Sequence, residues 1–325
     1  MNLIDEIRNP ITEELQTFRK IFSHTLSTDN VLLQNVINYI LESTGKQLRS
    51  IMVLLSARIC SGKVNEATYN GALSIELLHN ASLIHDDVID DTLERRGRSS
   101  VNARWTNKVA VLTGDYLLSQ SLICATRTEK IEIMKVIAQI GSDLTDGELL
   151  QLSNSQRSKI TEEEYFAIVD KKTAMLFAAC SVLGGLSVNG DNTQLESLKK
   201  FGEYTGICFQ IQDDIFDYFD DMEIGKPTGN DLQDGKITLP LIYALQNSSN
   251  GEKENIISII DTKDYTGENI KLIMRFAKDN GGVDYAVKCM NEYKAKAIEQ
   301  LDIFPGSEIK NALMKCVEFA TSRKN

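Results

Sequence analysis

The chain has 325 residues, 42% of them hydrophobic and 25% charged, with a formal net charge of −11. That is apolar material for a large core, in one big domain or two ordinary ones. Forty-six acidic against 35 basic residues exclude a general affinity for nucleic-acid backbones, which needs a basic surface. The six cysteines form no CxxC pair and no spaced Cys/His set; they sit in apolar runs such as CSVLGG and GICFQI. They read as buried free thiols in a reducing compartment. The N-terminal MNLIDEIRNPITEELQ has no apolar signal core. No stretch reaches the ~20 uninterrupted apolar residues of a membrane span, so the expectation is a soluble, cytoplasmic protein.

Only four prolines interrupt the chain, and few runs alternate as strands do, so helices are expected throughout. In NVLLQNVINYILES, residues Val31, Leu32, Val36, Ile37, Ile40 and Leu41 make one apolar stripe, with Asp29 as expected N-cap and Gly45 as stop. Further helices are expected at about 47–60, 66–91, 108–126, 128–153, 161–186, 193–220, 237–247, 267–280, 282–300 and 307–322. The long runs 66–91 and 193–220 are apolar on most faces, which suits the centre of a bundle. The loosest segments lie near 187–192, 221–236 and 248–252, and no linker or repeat marks a second domain. A single domain over 1–325 is therefore expected.

Two D-D-x-x-D clusters end these two long helices: Asp86, Asp87 and Asp90 on the first, Asp213, Asp214 and Asp217 on the second. On a helix, i and i+4 share a face about 5–6 Å apart. Asp86 should therefore converge with Asp90, and Asp213 with Asp217. Like charges at that spacing repel, and the negative end of the helix dipole adds to the cost. A hard divalent cation would relieve both, and Mg²⁺ leaves positions open for water and substrate phosphates. The bland alternative is two solvated acidic helix ends.

Basic residues flank these clusters. Lys46 and Arg49 lie in TGKQLRS, Arg95 and Arg96 in ERRGRSS, Lys172 beside Thr173 in DKKTAMLF, and Lys226 and Lys236 in GKPTGNDLQDGK. Arginine forks match phosphate oxygens and lysine acts as a point charge; Lys171 reads as an ordinary surface cation. Of the three histidines, His24 reads as surface. His85-Asp86 lacks the further histidines a metal phosphohydrolase needs. His79 suits a phosphate donor or a satisfied core residue.

The runs ELLHNASLIHDDVIDDTLERRG, GICFQIQDDIFDYFDD and GKPTGNDLQDGKITLP, together with GKQLRS and YFAIVDKKTAMLF, resemble the trans-isoprenyl diphosphate synthases in order from about residue 40 to 245. The resemblance implies an all-α bundle around a central cavity, usually a homodimer. It implies two or three Mg²⁺ ions at Asp86, Asp90, Asp213 and Asp217. Isopentenyl diphosphate would be held by Lys46, Arg49, His79 and Arg96. The allylic diphosphate would meet Arg95, Lys172, Thr173, Gln210, Lys226 and Lys236. The segment departs from the family in having one glycine, Gln47 for a basic residue and Ser50 for a proline, so looser binding there is expected.

The implied reaction is ionisation of the allylic diphosphate, attack by the isopentenyl double bond and proton loss. Thr173 and Gln210 would supply oxygens near the carbocation, and no side-chain general base is evident. The growing tail should run along the first cluster's helix towards its N-terminus. Ala81, five residues before the cluster, and Ser82 are small, which favours a medium-to-long product of roughly C25 to C50. The alternatives are a short-chain farnesyl or geranylgeranyl diphosphate synthase, a class I terpene cyclase, or a non-catalytic partner subunit. A lipid-soluble product is compatible with peripheral membrane contact, though no anchor is visible.

Overall fold

The computed structural model describes residues 2–42, 45–95, 97–154, 160–219, 229–248 and 250–322. Helices dominate: α1 (Leu3–Arg8), α2 (Thr12–Thr25), α3 (Val31–Glu42), α4 (Leu48–Ser61), α5 (Glu66–Ile89), α6 (Val101–Arg104), α7 (Asn107–Arg127), α8 (Ile131–Asn154), α9 (Glu162–Val169), α10 (Met175–Ser187), α11 (Asn192–Phe216), α12 (Asn230–Gln233), α13 (Leu239–Asn247), α14 (Asn250–Thr262), α15 (Gly267–Asp279), α16 (Gly282–Gln300) and α17 (Glu308–Thr321). The strands among the described residues are β1 (Glu94–Arg95) and β2 (Arg98–Ser99), a two-stranded antiparallel hairpin. The all-α class expected from the periodicity holds.

The chain folds as two compact units. The first comprises Met1–Gly141, Ala178–Lys199 and Leu301–Cys316. Its core opens with Ile4, Ile7, Ile11, Leu15, Phe18 and Phe22, a three-to-four-residue spacing that buries one face of α1 and α2. Each such buried side chain contributes roughly 1.5–3 kcal/mol. Neither helix was among the runs expected from the sequence, although the spacing is plain in it. Helix α5 starts at a reciprocal cap, Asn65 accepting from the Thr68 N–H and Thr68 from the Asn65 N–H. It packs closely on α7. The Ser74 hydroxyl donates to the Ser121 carbonyl at 2.8 Å, and the Ser121 hydroxyl to the Ser74 carbonyl at 2.7 Å. At Gly114 a Cβ would fall 2.2 Å from His85 Nε2. Helix α7 is long and apolar enough, by length and composition, to cross a membrane. It passes on average despite Asp115 and Gln120, and it buries Ala110, Gly114, Leu117, Ser121 and Cys124.

The second unit comprises Ser142–Phe177, Lys200–Gln300 and Val317–Asn325. Helix α13 packs on α15 and α16; a Cβ at Gly282 would fall 2.0 Å from the Pro240 carbonyl oxygen. Helix α14, also absent from the expected runs, buries Ile256, Ile259 and Ile260 on one face.

Three local expectations are corrected. The side chain that caps α3 is Asn30, which accepts from the Leu33 N–H at 3.1 Å. A cap must reach the third helical N–H, and Asp29 lies one residue too early. The run 161–186 is not one α-helix: Asp170–Ala174 form a π turn between α9 and α10, closed by the Met175 N–H on the Asp170 carbonyl. The run 193–220 ends as helix at Phe216, so Asp217 lies just beyond α11. All six cysteines are free, five of them buried, as their apolar contexts implied.

Candidate active site

In the first unit, Asp86 and Asp90 lie one turn apart at the end of α5, the Asp90 N–H donating to the Asp86 carbonyl at 2.8 Å. Asp87 points inward and is 3% exposed. Arg95 Nε donates to its Oδ1 at 2.6 Å. Burial pushes the Asp87 carboxyl up, and Arg95 offsets part of that. Behind Arg95 the hairpin is braced. Asn102 Nδ2 donates to the Asp87 and Thr92 carbonyls at 3.1 Å each, and the Ser100 hydroxyl to the Thr92 carbonyl at 2.7 Å. The Tyr39 hydroxyl donates to the Ser99 carbonyl at 2.7 Å. The Arg98 and Arg104 guanidinium groups each stand 4.2 Å from the Tyr39 ring centre.

Lys46 and Arg49 flank the start of α4. The residue between Lys46 and the helix, Gln47, adopts φ 56°, a left-handed conformation uncommon outside glycine. Two N-terminal arginines hold it: Arg8 Nη2 donates to the Lys46 carbonyl at 2.7 Å and Arg19 Nε to Gln47 Oε1 at 3.0 Å. His79 is buried on α5 and His24 is exposed. Ala81, 2% exposed, lies on the α5 face that carries Ser74 and His85, residues in contact with α7. Ser82 is half-buried, its hydroxyl on the His79 carbonyl.

In the second unit, Lys172, Thr173, Gln210, Asp213, Asp214 and Lys236 line one cavity of about 240 Å³. The π turn puts Lys172 and Thr173 there, and two glycines let it sit close to its neighbours. A Cβ at Gly147 on α8 would fall 2.8 Å from Lys172 Cγ, and one at Gly206 on α11 2.6 Å from Ala174 Cα. Lys172 Nζ donates to Gln151 Oε1 at 2.8 Å and pairs with Glu148. Lys171 instead pairs with the exposed Asp146 at 2.6 Å, the surface role expected of it. Asp213 is exposed, whereas Asp214 is 2% exposed. Asp214 Oδ2 accepts from the Tyr165 hydroxyl at 2.5 Å and Oδ1 from Gln210 Nε2 at 2.8 Å. The Thr173 hydroxyl donates to Gln210 Oε1 at 2.8 Å.

Asp217 takes a third course. Its carboxylate accepts from the N–H groups of Asn230 and Asp231 at 3.1 and 3.0 Å, tying the end of α11 to the start of α12. Burial raises Asp214 well above the usual carboxylate range, with Asp231 adding repulsion. Burial, then Asp217, lifts Asp231 to about 6. Burial raises Asp217 despite its backbone donors.

Arg96 and Lys226 lie outside the described residues. Tyr165, Gln151 and Asp231, which line the cavity, escaped the sequence reading, as did Glu148, which pairs with Lys172 outside that lining. Asp231 sits in the glycine-flanked GNDLQDGK run; Glu148 and Gln151, spaced i and i+3 on α8, make a face for Lys172. That spacing is visible in GELLQ, but its partner is not.

Among the described residues no group of three or more His, Cys, Asp or Glu converges into a metal cage. The donors nonetheless suit magnesium. They are hard carboxylate oxygens, and the Asp217 carboxylate is destabilised as an anion by burial, with Asp213 adding repulsion. Mg²⁺ typically takes only one or two carboxylates, with substrate phosphates and water completing its shell.

A family profile described as Polyprenyl synthetase matches residues 30–276. The chain is 32% identical over 319 residues to an all-trans-nonaprenyl-diphosphate synthase (geranyl-diphosphate specific) of Rhodobacter capsulatus, covering 98% of this chain and 97% of that one. Among solved structures it is similar to a decaprenyl diphosphate synthase from the same organism (TM-score 0.93, 29% identity, 98% of each chain). It is also similar to a geranylgeranyl pyrophosphate synthase from Bacteroides thetaiotaomicron (TM-score 0.86, 41% identity, 99% of this chain and 100% of that one). With the profile spanning most of its length and the likeness extending end to end, the chain belongs to the polyprenyl synthetase family.

Proposed function

We propose that the chain is a magnesium-dependent trans-polyprenyl diphosphate synthase that joins isopentenyl diphosphate to an allylic diphosphate, acting as a single polyprenyl synthase domain. The observation that carries this is the second-unit cavity, where the carboxylates of Asp213, Asp214 and Asp231 stand with Lys172 and Lys236 beside the oxygens of Thr173 and Gln210. Bound magnesium, two or three ions, would supply Lewis-acid stabilisation of the departing diphosphate. Asp86, Asp90, Asp213 and Asp217 would hold it. Lys172 and Lys236 draw negative charge onto the leaving group, and Thr173 and Gln210 turn oxygens to the developing cation. Arg95 and Lys226 would meet the allylic diphosphate. Lys46, Arg49, His79 and Arg96 would hold isopentenyl diphosphate. The side-chain oxygens hold the substrates in register and away from water.

Small residues at Ala81 and Ser82 support a medium-to-long product, roughly C25 to C50. A short product is the second reading, favoured by the 41% identity to a geranylgeranyl pyrophosphate synthase. A second copy of the chain is the proposed partner. The apolar residues Val111, Leu118 and Leu122 stand exposed along one face of α7, and Leu118→Glu with Leu122→Glu should give a monomer by light scattering. Free thiols throughout support a cytoplasmic setting.

The test is mass spectrometry of products from farnesyl diphosphate, excess isopentenyl diphosphate and Mg²⁺, with an EDTA control. A ladder ending at one polyprenyl diphosphate, absent with EDTA, is expected and reads out the length. A failure to elongate any allylic primer would sink the reading.

A further inference from the structure

The two adjacent aspartates on α11 face different surroundings. Asp213 is exposed, while Asp214 is buried between Tyr165 and Gln210. Successive helical residues diverge by about 100°, so the pair does not present a common face to one ion. Both Asp214 oxygens act as acceptors, Oδ2 of the Tyr165 hydroxyl and Oδ1 of Gln210 Nε2 at 2.8 Å. The Nε2 end of Gln210 thus faces Asp214, and Oε1 is turned the other way, where it takes the Thr173 hydroxyl proton at 2.8 Å. With that proton committed, Thr173 Oγ1 has only lone pairs left to show the cavity. Without that acceptor the Gln210 amide could turn over, its NH₂ would face Thr173, and the hydroxyl proton would swing into the cavity.

We propose that Asp214 is a positioning residue rather than a metal ligand: through Gln210 it fixes the Thr173 hydroxyl so that lone pairs, not a proton, face the reacting allylic carbon. Tyr165 completes the anchor by occupying the second carboxylate oxygen. The inference rests on the synthase reading and concerns the same cavity.

The experiment compares Asp214→Asn, Asp213→Asn, Thr173→Val and the double variant Asp214→Asn/Thr173→Val with the full-length wild type. Steady-state elongation, calorimetric titration of Mg²⁺ with inorganic pyrophosphate, and Tm are measured for each. Asp214→Asn should lower kcat about 100-fold with both substrate KM values and the Mg²⁺–pyrophosphate affinity within about twofold of wild type. Asp213→Asn should weaken that affinity strongly. In the double variant the two losses should not multiply, since both act through one hydroxyl. Gln210→Met, which breaks the relay at its middle, should reproduce the kcat loss and make Asp214→Asn silent. If Asp214→Asn fails to fold, the Gln210→Met/Thr173→Val cycle decides instead, non-multiplying losses again being expected. Weakening of Mg²⁺–pyrophosphate binding to the degree seen in Asp213→Asn, or losses that multiply, would overturn the assignment while leaving the synthase reading intact. An inactive wild type would fell both.

Discussion

The two D-D-x-x-D segments share a pattern and differ in what their middle residue touches. Asp87 is answered by a full positive charge, Arg95, on a braced hairpin. Among the described residues, Asp214 is answered only by neutral donors, Tyr165 and Gln210. The third residues differ as well: Asp90 ends its helix exposed, while Asp217 is spent on backbone N–H groups of the next segment. An ion pair fixes the place of a cation that grips substrate; a neutral network fixes the orientation of dipoles. The same motif thus sets its middle residue against a charge in one unit and against neutral dipoles in the other.

The sharpest break of the comparison is at the first residue of each cluster. Asp213→Asn and Asp86→Asn should each lower kcat/KM by about 10³-fold or more in the product assay; retention of near-normal rates at either position would remove that cluster from metal binding. Next come the middle residues. Asp87→Asn should raise the allylic KM about tenfold with kcat little changed, because Arg95 loses its anchor. That is the reverse of the split expected for Asp214→Asn, and matching kinetics in the two would erase the distinction. A stability contrast follows. Gly206→Ala drives a Cβ to within 2.6 Å of the Ala174 backbone and should cost about 2–3 kcal/mol by denaturant titration. Gly114→Ala meets the side-chain ring of His85 first, rather than backbone, and should cost about 1 kcal/mol.

The smallest effect is in pH. Asp231 holds its proton more tightly folded, its carboxyl raised from 3.8 to about 6. The stability it contributes is complete below the lower value and is lost as pH rises through the upper one. The shift is worth at most about 3 kcal/mol, and about 1–2 kcal/mol once screening is allowed for, since the side chain is 29% exposed. Metal-free wild type should lose that much between about pH 4 and pH 6, and Asp231→Asn should flatten the slope. A wild-type profile as flat as the variant's would refute it.

Much of this was legible in advance because it is local. The clusters, the cations beside them and the long apolar helices each announce themselves within a few residues. What was missed splits by cause. Ile4, Ile7, Ile11 and Phe18 carried a helical period, as did Ile256, Ile259 and Ile260, so those helices lay within reach of the pattern. The π turn did not: five residues of DKKTA have no period of their own, and the glycines that accommodate them, Gly147 and Gly206, are far away in sequence. Glu148 and Gln151 were invisible as a lysine cradle for the same reason. The backbone partners of Asp217, Asn230 and Asp231, could not be foreseen, because they lie beyond a loop whose course no spacing rule fixes.

The π turn at Asp170–Ala174 also bears on how the gene can vary. An α-helix with one residue inserted is forced to widen a turn, and the insertion reverses if one residue is lost. Deleting a single codon anywhere from Asp170 to Ala174 would let the flanking helices close into one regular rod. The flanking faces would stay in phase, because a π turn winds about 100° less than the same residues in an α-helix, which is the rotation of the one residue removed. The reading frame and both apolar faces would survive, yet the widened turn that presents the Lys172–Thr173 pair to the cavity would be lost. A one-codon deletion here should therefore cost activity while leaving the fold in place, so chain length in this stretch serves the site rather than the scaffold.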